Sequence, residues 1–320
     1  MKILYTPTLS VPTLGAEHRA RILEAAGPAA VLVEARDLAH QRAQVADADV
    51  LFGRVPPDVF ACQRRLRYYH ALGAGVDSIL TPELVGSDVI LASEKGQVGV
   101  HLAEHAFALL LGLTRGLHTA LRDPDYRHRE PIRREQRELD EQTMGIVGFG
   151  GTGRAVARRA LGFGMRVLAV DVEDVGPEPG VESVWKPDRL PELLGASDVV
   201  VVALPLTKAT RHLFTRDLFR QMRPGAILIN VTRGEIVYGP DLLAALDEGL
   251  IWGAGLDVTD PEPLPPGHRL WTHPRVIVTP HTAGGSPRRA ERAVAVFSEN
   301  LRRLRTGRPL LALIDKRKGY

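Results

Sequence analysis

Thr143-Met-Gly-Ile-Val-Gly-Phe-Gly-Gly-Thr-Gly153, followed after one helical span by Arg166-Val-Leu-Ala-Val-Asp171, is the stretch that decides the fold. Met144 to Val147 is a short apolar run with strand character, and 166–170 is a second one. The order is strand, glycine turn, helix, strand, acid, which is the spacing of a dinucleotide site. Gly148 permits the tight turn, Gly150 lets the backbone approach a pyrophosphate, and Gly153 lets the helix pack closely on the strand. The helix N-terminus would aim its unpaired N–H groups at the phosphates. Asp171 would accept from both ribose hydroxyls and repel a 2′-phosphate, which favours NAD over NADP. Three glycines mean little in a chain that has 31; the flanking strands, helix and terminal acid separate this reading from an ordinary glycine-rich turn.

Toward the N-terminus, short apolar runs alternate with amphipathic spans. Ile3–Tyr5, Ala30–Val33, Val50–Phe52, Leu66–Tyr69 and Val89–Leu91 read as strands; Leu14–Ala26 and Pro57–Arg64 read as helices. The pattern predicts an α/β unit with a parallel sheet. Gly73-Ala-Gly-Val-Asp77 follows a strand, where open α/β sheets place binding loops; it reads as an anion nest or as a plain glycine-rich connection. Residues 100–119 are long and apolar enough for a buried helix. Within them, His101-Leu-Ala-Glu-His105 matches H-x-x-E-H, a zinc-protease pattern. Nothing downstream is arranged to supply a third ligand, so the competing reading is a helical turn packing between domains. Residues 120–142 are dense in both charges and interrupted by Pro124 and Pro131. They read as solvated surface or an arm that meets a partner subunit, rather than a nucleic-acid patch.

Beyond Asp171, 196–207 reads as a buried strand leaving through Leu204, Pro205, Leu206 and Thr207 into a loop that would line the cofactor cleft. Helices are expected at 215–222 and 240–248. Arg233 follows the strand Ala226–Val231, and a guanidinium fork there suits a carboxylate. Asp257 ends another short strand, Glu262 comes five residues later, and His281 leaves the last strand. Each alone is more often structural or superficial; four such groups after successive strands, beside a dinucleotide unit, form a candidate active site. The chain is helical from Pro287 to about Thr306, and the tail from Lys316 is expected to fray.

Bulk properties leave room for two domains. The chain has 320 residues, 44% of them hydrophobic, enough for two cores. No run reaches the ~20 apolar residues of a membrane span, and the first residues read as a strand without signal-peptide organisation. Cys62 is the only cysteine, which excludes an internal disulfide; a cytoplasmic protein is the expectation. The net charge of +3 would attract anionic substrates, while 5% aromatic residues are few for stacking on bases, so neither nucleic acid nor membrane is expected as a partner.

Taken together, the sequence resembles the D-2-hydroxyacid dehydrogenase family. The resemblance rests on Gly73–Asp77, Ala103-Glu-His105, Gly148–Gly153, Asp171, Pro205-Leu-Thr207 with Thr210, Arg223–Gly234, Leu256-Asp-Val258, Glu262-Pro-Leu-Pro265 and Thr279–Gly284. It implies two Rossmann-like α/β domains with parallel sheets. A cofactor domain (101–286) would be inserted into a discontinuous substrate domain (1–100 and 287–320), with substrate in the cleft between them. It implies NAD as cofactor, a small 2-hydroxy or 2-keto acid as substrate, a homodimer, and the form without the C-terminal regulatory domain of longer members. By resemblance, Arg233 binds the substrate carboxylate and C2 oxygen, His281 is the acid–base, and Glu262 orients it. The amides of Gly73, Ala74, Gly75 and Val76 would hold the carboxylate. Phe149, Gly151, Thr152, Leu204, Pro205, Thr210, Val231, Thr232, Asp257 and Gly284 join Gly148, Gly150, Gly153 and Asp171 around the cofactor, Asp257 at its carboxamide.

The sequence also departs from the family. Phe149, Gly151 and Thr152 stand where members commonly carry Leu or Ile, Arg or Lys, and Ile; Ser93 stands for Asn, and Leu204 for a histidine of some glyoxylate and phosphoglycerate enzymes. A Trp common before the cofactor domain is missing from 120–142. These changes spare the catalytic set and blur the substrate: glyoxylate or hydroxypyruvate, or, on the arginines of 120–137, a phosphorylated acid. The alternatives are a non-catalytic NAD(H)-sensing scaffold on the same fold and a metal hydrolase built on His101 and His105.

Overall fold

Apolar runs and amphipathic spans assemble into two units, Met1–Val98 with Gly285–Tyr320, and Gly99–Gly284. The computed structural model describes residues 1–176 and 178–320. Both units are α/β with an all-parallel sheet, the class expected from the sequence.

In the first unit, β1 (Lys2–Tyr5), β2 (Val31–Glu34), β3 (Val50–Gly53), β4 (Tyr68–Ala71) and β5 (Ile90–Ser93) lie in the order β2-β1-β3-β4-β5. Strand side chains alternate between faces, so each strand feeds two cores. Ile3, Tyr5, Val50, Phe52 and Tyr68 meet Ala293, Val294, Phe297 and Leu301 of the helix Arg289–Thr306 on one face. Leu4, Leu51, Tyr69 and Leu91 pack on the other with Val45, Val59 and Leu84. Phe52 stacks on Phe297 with ring centroids 4.1 Å apart, and His70 meets both edge-on at 5.5 Å.

The second unit holds β6 (Thr143–Val147), β7 (Arg166–Val170), β8 (Ser183–Trp185), β9 (Val199–Val202), β10 (Ile227–Asn230), β11 (Gly253–Leu256) and β12 (Val276–Val278). Their order is β12-β11-β10-β9-β6-β7-β8. The chain reverses direction across the sheet between β6 and β9, the switch point where doubly wound sheets open a crevice beyond the strand ends. The helices Gly99–Thr114 and Gly151–Gly162 cover one face through Leu109, Leu110, Val156 and Ala160. Leu193, Phe219, Leu242 and Leu246 cover the other.

Several local expectations change in the structure. The helix expected over 57–64 stops at Phe60, and that over 215–222 covers only Arg216–Phe219. The run 100–119 breaks at Gly116, whose φ of +69° ends one helix before Leu117–Arg122 begins. Pro131 does not interrupt helix: it lies in the first turn of Arg129–Glu135, where its missing N–H costs nothing. β8, at the sheet edge, has no alternating apolar signal. The tail does not fray. Leu313 bridges Ala92 antiparallel, Ile314 N–H donates to Leu91 O at 2.9 Å, and Lys316 Nζ donates to the carbonyls of Leu84 and Val89 at 3.1 and 3.0 Å. An ammonium with carbonyl acceptors at hand anchors a segment that composition alone marks as loose.

Buried polar groups in the first core make it sensitive to acid. Asn300 Nδ2 donates to Tyr68 Oη (2.9 Å), so the tyrosine proton goes to His70 Nδ1 (2.7 Å). Complete burial then pushes the His70 imidazole down to about 3. A depressed imidazole leaves stability intact above the unfolded value near 6.5 and removes it as pH falls from there toward 3. Denaturant unfolding followed by circular dichroism should therefore show about 2 kcal/mol less stability at pH 5 than at pH 7 from this group. His70→Gln, which keeps an acceptor for Tyr68 but does not titrate, should lose that component. An identical pH dependence in both proteins would exclude His70 as its source.

Candidate active site

The glycine turn after β6 takes the shape its residues dictate. Gly148 has φ +97°, and a Cβ there would lie 2.8 Å from Ala203 O, so the turn and the exit of β9 touch. A Cβ on Gly153 would lie 2.2 Å from Gly148 O, which is the close helix–strand approach. A Cβ on Gly150 would meet nothing within 4 Å, leaving open space over the turn. Gly151, Thr152 and Gly153 form the first turn of the helix Gly151–Gly162, whose leading amides have no intrahelical acceptor. Phe149 puts its ring in the core and its N–H on Asp171 Oδ2 at 2.6 Å; Asp171 Oδ1 accepts from Glu173 N–H at 2.8 Å. The turn, helix end and acid fit the diphosphate and ribose of a dinucleotide.

Across the switch point, the chain leaving β9 folds on itself. Thr210 Oγ1 donates to Pro205 O at 2.7 Å and accepts from Thr207 N–H at 2.8 Å, while Leu204 packs beside Gly148. After β10, Val231 is buried, and Asn230 pins the exit: Nδ2 donates to Arg233 O (2.8 Å) and Oδ1 accepts from Thr232 N–H (3.1 Å). Arg233 Nη1 donates to Thr232 O at 2.8 Å. Gly234 makes the next contact possible, since a Cβ there would lie 1.9 Å from Thr259 O. The Arg233 exit therefore lies directly against the loop that carries Glu262.

Asp257 organises the rest. Its side chain has no exposed surface. Thr279 Oγ1–H (2.6 Å) and Thr282 N–H (2.8 Å) donate to Oδ1, and Ala283 N–H (2.8 Å) donates to Oδ2. Burial pushes this carboxyl up, but donors from His105, Thr279, Ala283 and Thr282 outweigh it and hold it down at about 2. Asp257 O also accepts from His281 N–H at 2.8 Å, with Thr279 O at 3.0 Å. These bonds hold His281 at φ +54°, a left-handed conformation that a non-glycine residue adopts only when its surroundings over-determine it. The imidazole is exposed, and its Nδ1 lies 2.5 Å from Glu262 Oε1. A carboxylate only accepts, so Nδ1 carries the hydrogen and Nε2 is left to exchange a proton. Glu262 Oε2 takes Thr259 N–H at 3.4 Å, and Asp260 accepts from His212 Nε2 at 2.8 Å, so the Glu262 loop is held on both sides.

In the first unit, the Gly73–Val76 loop follows β4, with Gly73 at φ +139°. Arg54, at the exit of β3, donates from Nε to Leu72 O (3.1 Å), from Nη1 to Ser78 Oγ (2.9 Å) and from Nη2 to Gly75 O. Ser93 Oγ donates to Ala74 O at 3.3 Å. Arg54 in this unit and His212 in the other are not singled out by the sequence, and His105 and Thr279 stand out there only as members of longer motifs. Gly53-Arg54 at a strand exit repeats the signal that singled out Arg233-Gly234. The H-x-x-E-H residues serve other partners: Glu104 pairs with Arg159 at 3.0 Å, and His105 turns to Thr279 and Asp257. Among the described residues, no three histidine, cysteine or acidic side chains are grouped to hold a metal ion, and no helix is long and apolar enough to cross a membrane.

Residues 107–283 match the family model for the D-isomer specific 2-hydroxyacid dehydrogenase, NAD binding domain. The chain belongs to the D-isomer specific 2-hydroxyacid dehydrogenase family. A glyoxylate reductase of Korarchaeum cryptofilum is 36% identical over 269 residues, covering 81% of this chain and 80% of that protein. A family protein from Aeromonas salmonicida superposes with a TM-score of 0.82 at 30% identity, over 98% of this chain and 99% of that one. An NADPH-dependent glyoxylate/hydroxypyruvate reductase from Sinorhizobium meliloti, solved with NADP and sulfate, gives a TM-score of 0.81 at 28% identity over the full length of both chains. This chain is accordingly a hydride-transferring oxidoreductase of 2-hydroxy acids that uses a nicotinamide cofactor.

The Gly234–Thr259 contact can be tested directly. In Gly234→Ala the new Cβ would collide with a backbone carbonyl and push the Glu262 loop outward, costing about 1–3 kcal/mol. Thermal unfolding and turnover should both fall; a variant with unchanged melting temperature and full activity would refute the contact.

Proposed function

We propose that the protein is an NAD-dependent reductase of small 2-keto acids, with His281 as the proton donor. The observation that carries this is the His281–Glu262 pair, 2.5 Å apart on loops that leave the same sheet edge as Arg233 and the glycine turn. The nicotinamide cofactor supplies the hydride when bound. Gly148–Gly153 would hold its diphosphate and Asp171 its ribose, with the residues around Leu204–Thr210, Val231, Thr232 and Gly284 beside it. Arg233 holds the substrate carboxylate and the C2 oxygen with its guanidinium fork. His281 gives the proton from Nε2 to the C2 oxygen in reduction and takes it back in oxidation. Glu262 fixes the ring's tautomer and steadies the imidazolium. Asp257, expected at the cofactor's carboxamide, keeps its carboxylate wholly buried on Thr279, Thr282 and Ala283 and serves the reaction instead as the anchor of the His281 loop.

The acidic surroundings of the ribose acid support NAD. Asp171 is followed by Val172, Glu173 and Asp174, and Lys186 pairs with Asp174 at 2.6 Å. A 2′-phosphate there meets the Asp171 carboxylate, while the nearby Lys186 is taken up by Asp174 and by Val172 O at 3.0 Å. Glyoxylate and hydroxypyruvate are the proposed substrates, on the small carboxylate site and the names of the relatives. The expected result is oxidation of NADH by one or both, with kcat/KM for NADH at least about tenfold above NADPH. His281→Ala should lose about 10²-fold or more in turnover while binding NADH normally, and Arg233→Ala should raise KM for the keto acid and lower kcat. Normal turnover by His281→Ala, or a preference for NADPH, would overturn the corresponding assignment.

We further propose a second copy of this chain as partner. The helices Leu117–Arg122 and Arg129–Glu135 bury none of their residues, and Leu121 and Tyr126 are 81% and 92% exposed. Exposed apolar side chains in a row on a charged arm suit a self-complementary interface. Sedimentation should give a dimer, and Leu121→Glu with Tyr126→Glu a monomer. A monomeric parent protein would end this proposal.

A further inference from the structure

The Glu104-His105 dipeptide has no role in the reaction as described, yet it joins two parts of the site. Both residues belong to the helix Gly99–Thr114. At its start, a Cβ on Gly99 would lie 2.4 Å from Gly151 O, so the helix touches the first residue of the dinucleotide helix. Glu104 ties it to that helix again, through Arg159 Nη2 at 3.0 Å. One residue on, His105 Nε2 lies 2.8 Å from Thr279 Oγ1 and 3.2 Å from Asp257 Oδ1.

The direction of these hydrogen bonds follows from proton counting. Thr279 Oγ1 lies 2.6 Å from Asp257 Oδ1, and an ionised carboxylate only accepts, so the hydroxyl proton is on that bond. Thr279 Oγ1 can then only accept from His105, and Nε2 of His105 carries a hydrogen. The chain runs His105 Nε2–H to Thr279 Oγ1–H to Asp257 Oδ1. Thr279 O and Asp257 O are also the two acceptors of His281 N–H. The group that fixes Thr279 and Asp257 therefore fixes the backbone of His281.

We propose that His105 is a positioning residue of the active site: by donating from Nε2 to Thr279 it references the His281 loop to the helix that also seats the dinucleotide turn. The proposal rests on His281 as the acid–base group. A 1 Å misplacement of a reacting group costs up to about 10²-fold in rate, so the effect belongs in kcat.

Four variants, His105→Leu, His105→Gln, Thr279→Val and the His105→Leu/Thr279→Val double, separate this role from plain packing. In glyoxylate-dependent NADH oxidation, His105→Leu should lose about 10- to 100-fold in kcat, with the NADH dissociation constant within about twofold of the parent. Gln also presents an N–H donor, so His105→Gln should regain most of kcat. Thr279→Val should match His105→Leu, and the double variant should be no worse than either. Unchanged kcat in His105→Leu, equal losses for Leu and Gln, or losses that multiply would overturn the proposal. Nitrogen-15 spectra of the labelled parent protein give a readout free of turnover: His105 protonated at Nε2 supports the chain, and a neutral Nδ1–H tautomer overturns it. An absence of turnover by the parent with every 2-keto acid would instead refute the functional reading, leaving the tautomer to decide this one.

Discussion

One buried carboxylate governs the geometry of the site. Asp257 stands at the end of β11, one strand in from the sheet edge, with no exposed side-chain surface, and an ionised acid there is costly unless its lone pairs find donors. The donors come from the segment 279–283, which wraps around it, and His105 reaches the same carboxylate through the Thr279 hydroxyl. The loop could not hold its shape without the charge, and the charge could not be buried without the loop. His281 is suspended between them in a backbone conformation that costs about 1–3 kcal/mol, which this network offsets.

The parallel sheet explains why distant residues meet. β6, β10, β11 and β12 all run the same way, so the glycine turn, Arg233, Asp257 and His281 leave one edge of one sheet. Fine adjustment is then made by close backbone contacts. The absent side chain of Gly234 lets the Arg233 exit lie on Thr259, three residues before Glu262. The absent side chain of Gly153 lets its helix lie on the turn. The glycine turn, Arg233, Glu262 and His281 are thus set on one frame, with strands beneath and short loops above, the arrangement that preorganised electrostatics requires.

Much of this was legible in the sequence because its signals are local. The βαβ unit around Gly148 shows in strand period, glycine spacing and the acid at Asp171, all within one supersecondary element. Arg233, Glu262 and His281 were legible as polar residues just past apolar runs, and the structure brings the last two together. What stayed hidden depends on contacts far apart in the chain. His105 meets Thr279 across 174 residues, and nothing near His105 distinguishes it from a zinc ligand or a packed turn. Arg54 grips a loop about 20 residues downstream. The tail read as loose because its composition is charged, while its order comes from carbonyls around Lys316 and the open edge of β5. Helix lengths failed where one turn suffices, as at Arg216–Phe219, since propensity cannot tell a single turn from two.

The most direct test of this account is a crystal structure of Asp257→Asn alongside its turnover. Whichever oxygen the new NH2 group replaces, it would face a backbone N–H, that of Thr282 or of Ala283, and repel it. In the variant, 279–283 should shift, His281 should leave its left-handed conformation, the His281–Glu262 bond should open, and turnover should fall by about 10²-fold. An unmoved loop with the His281–Glu262 pair intact and full activity would contradict it.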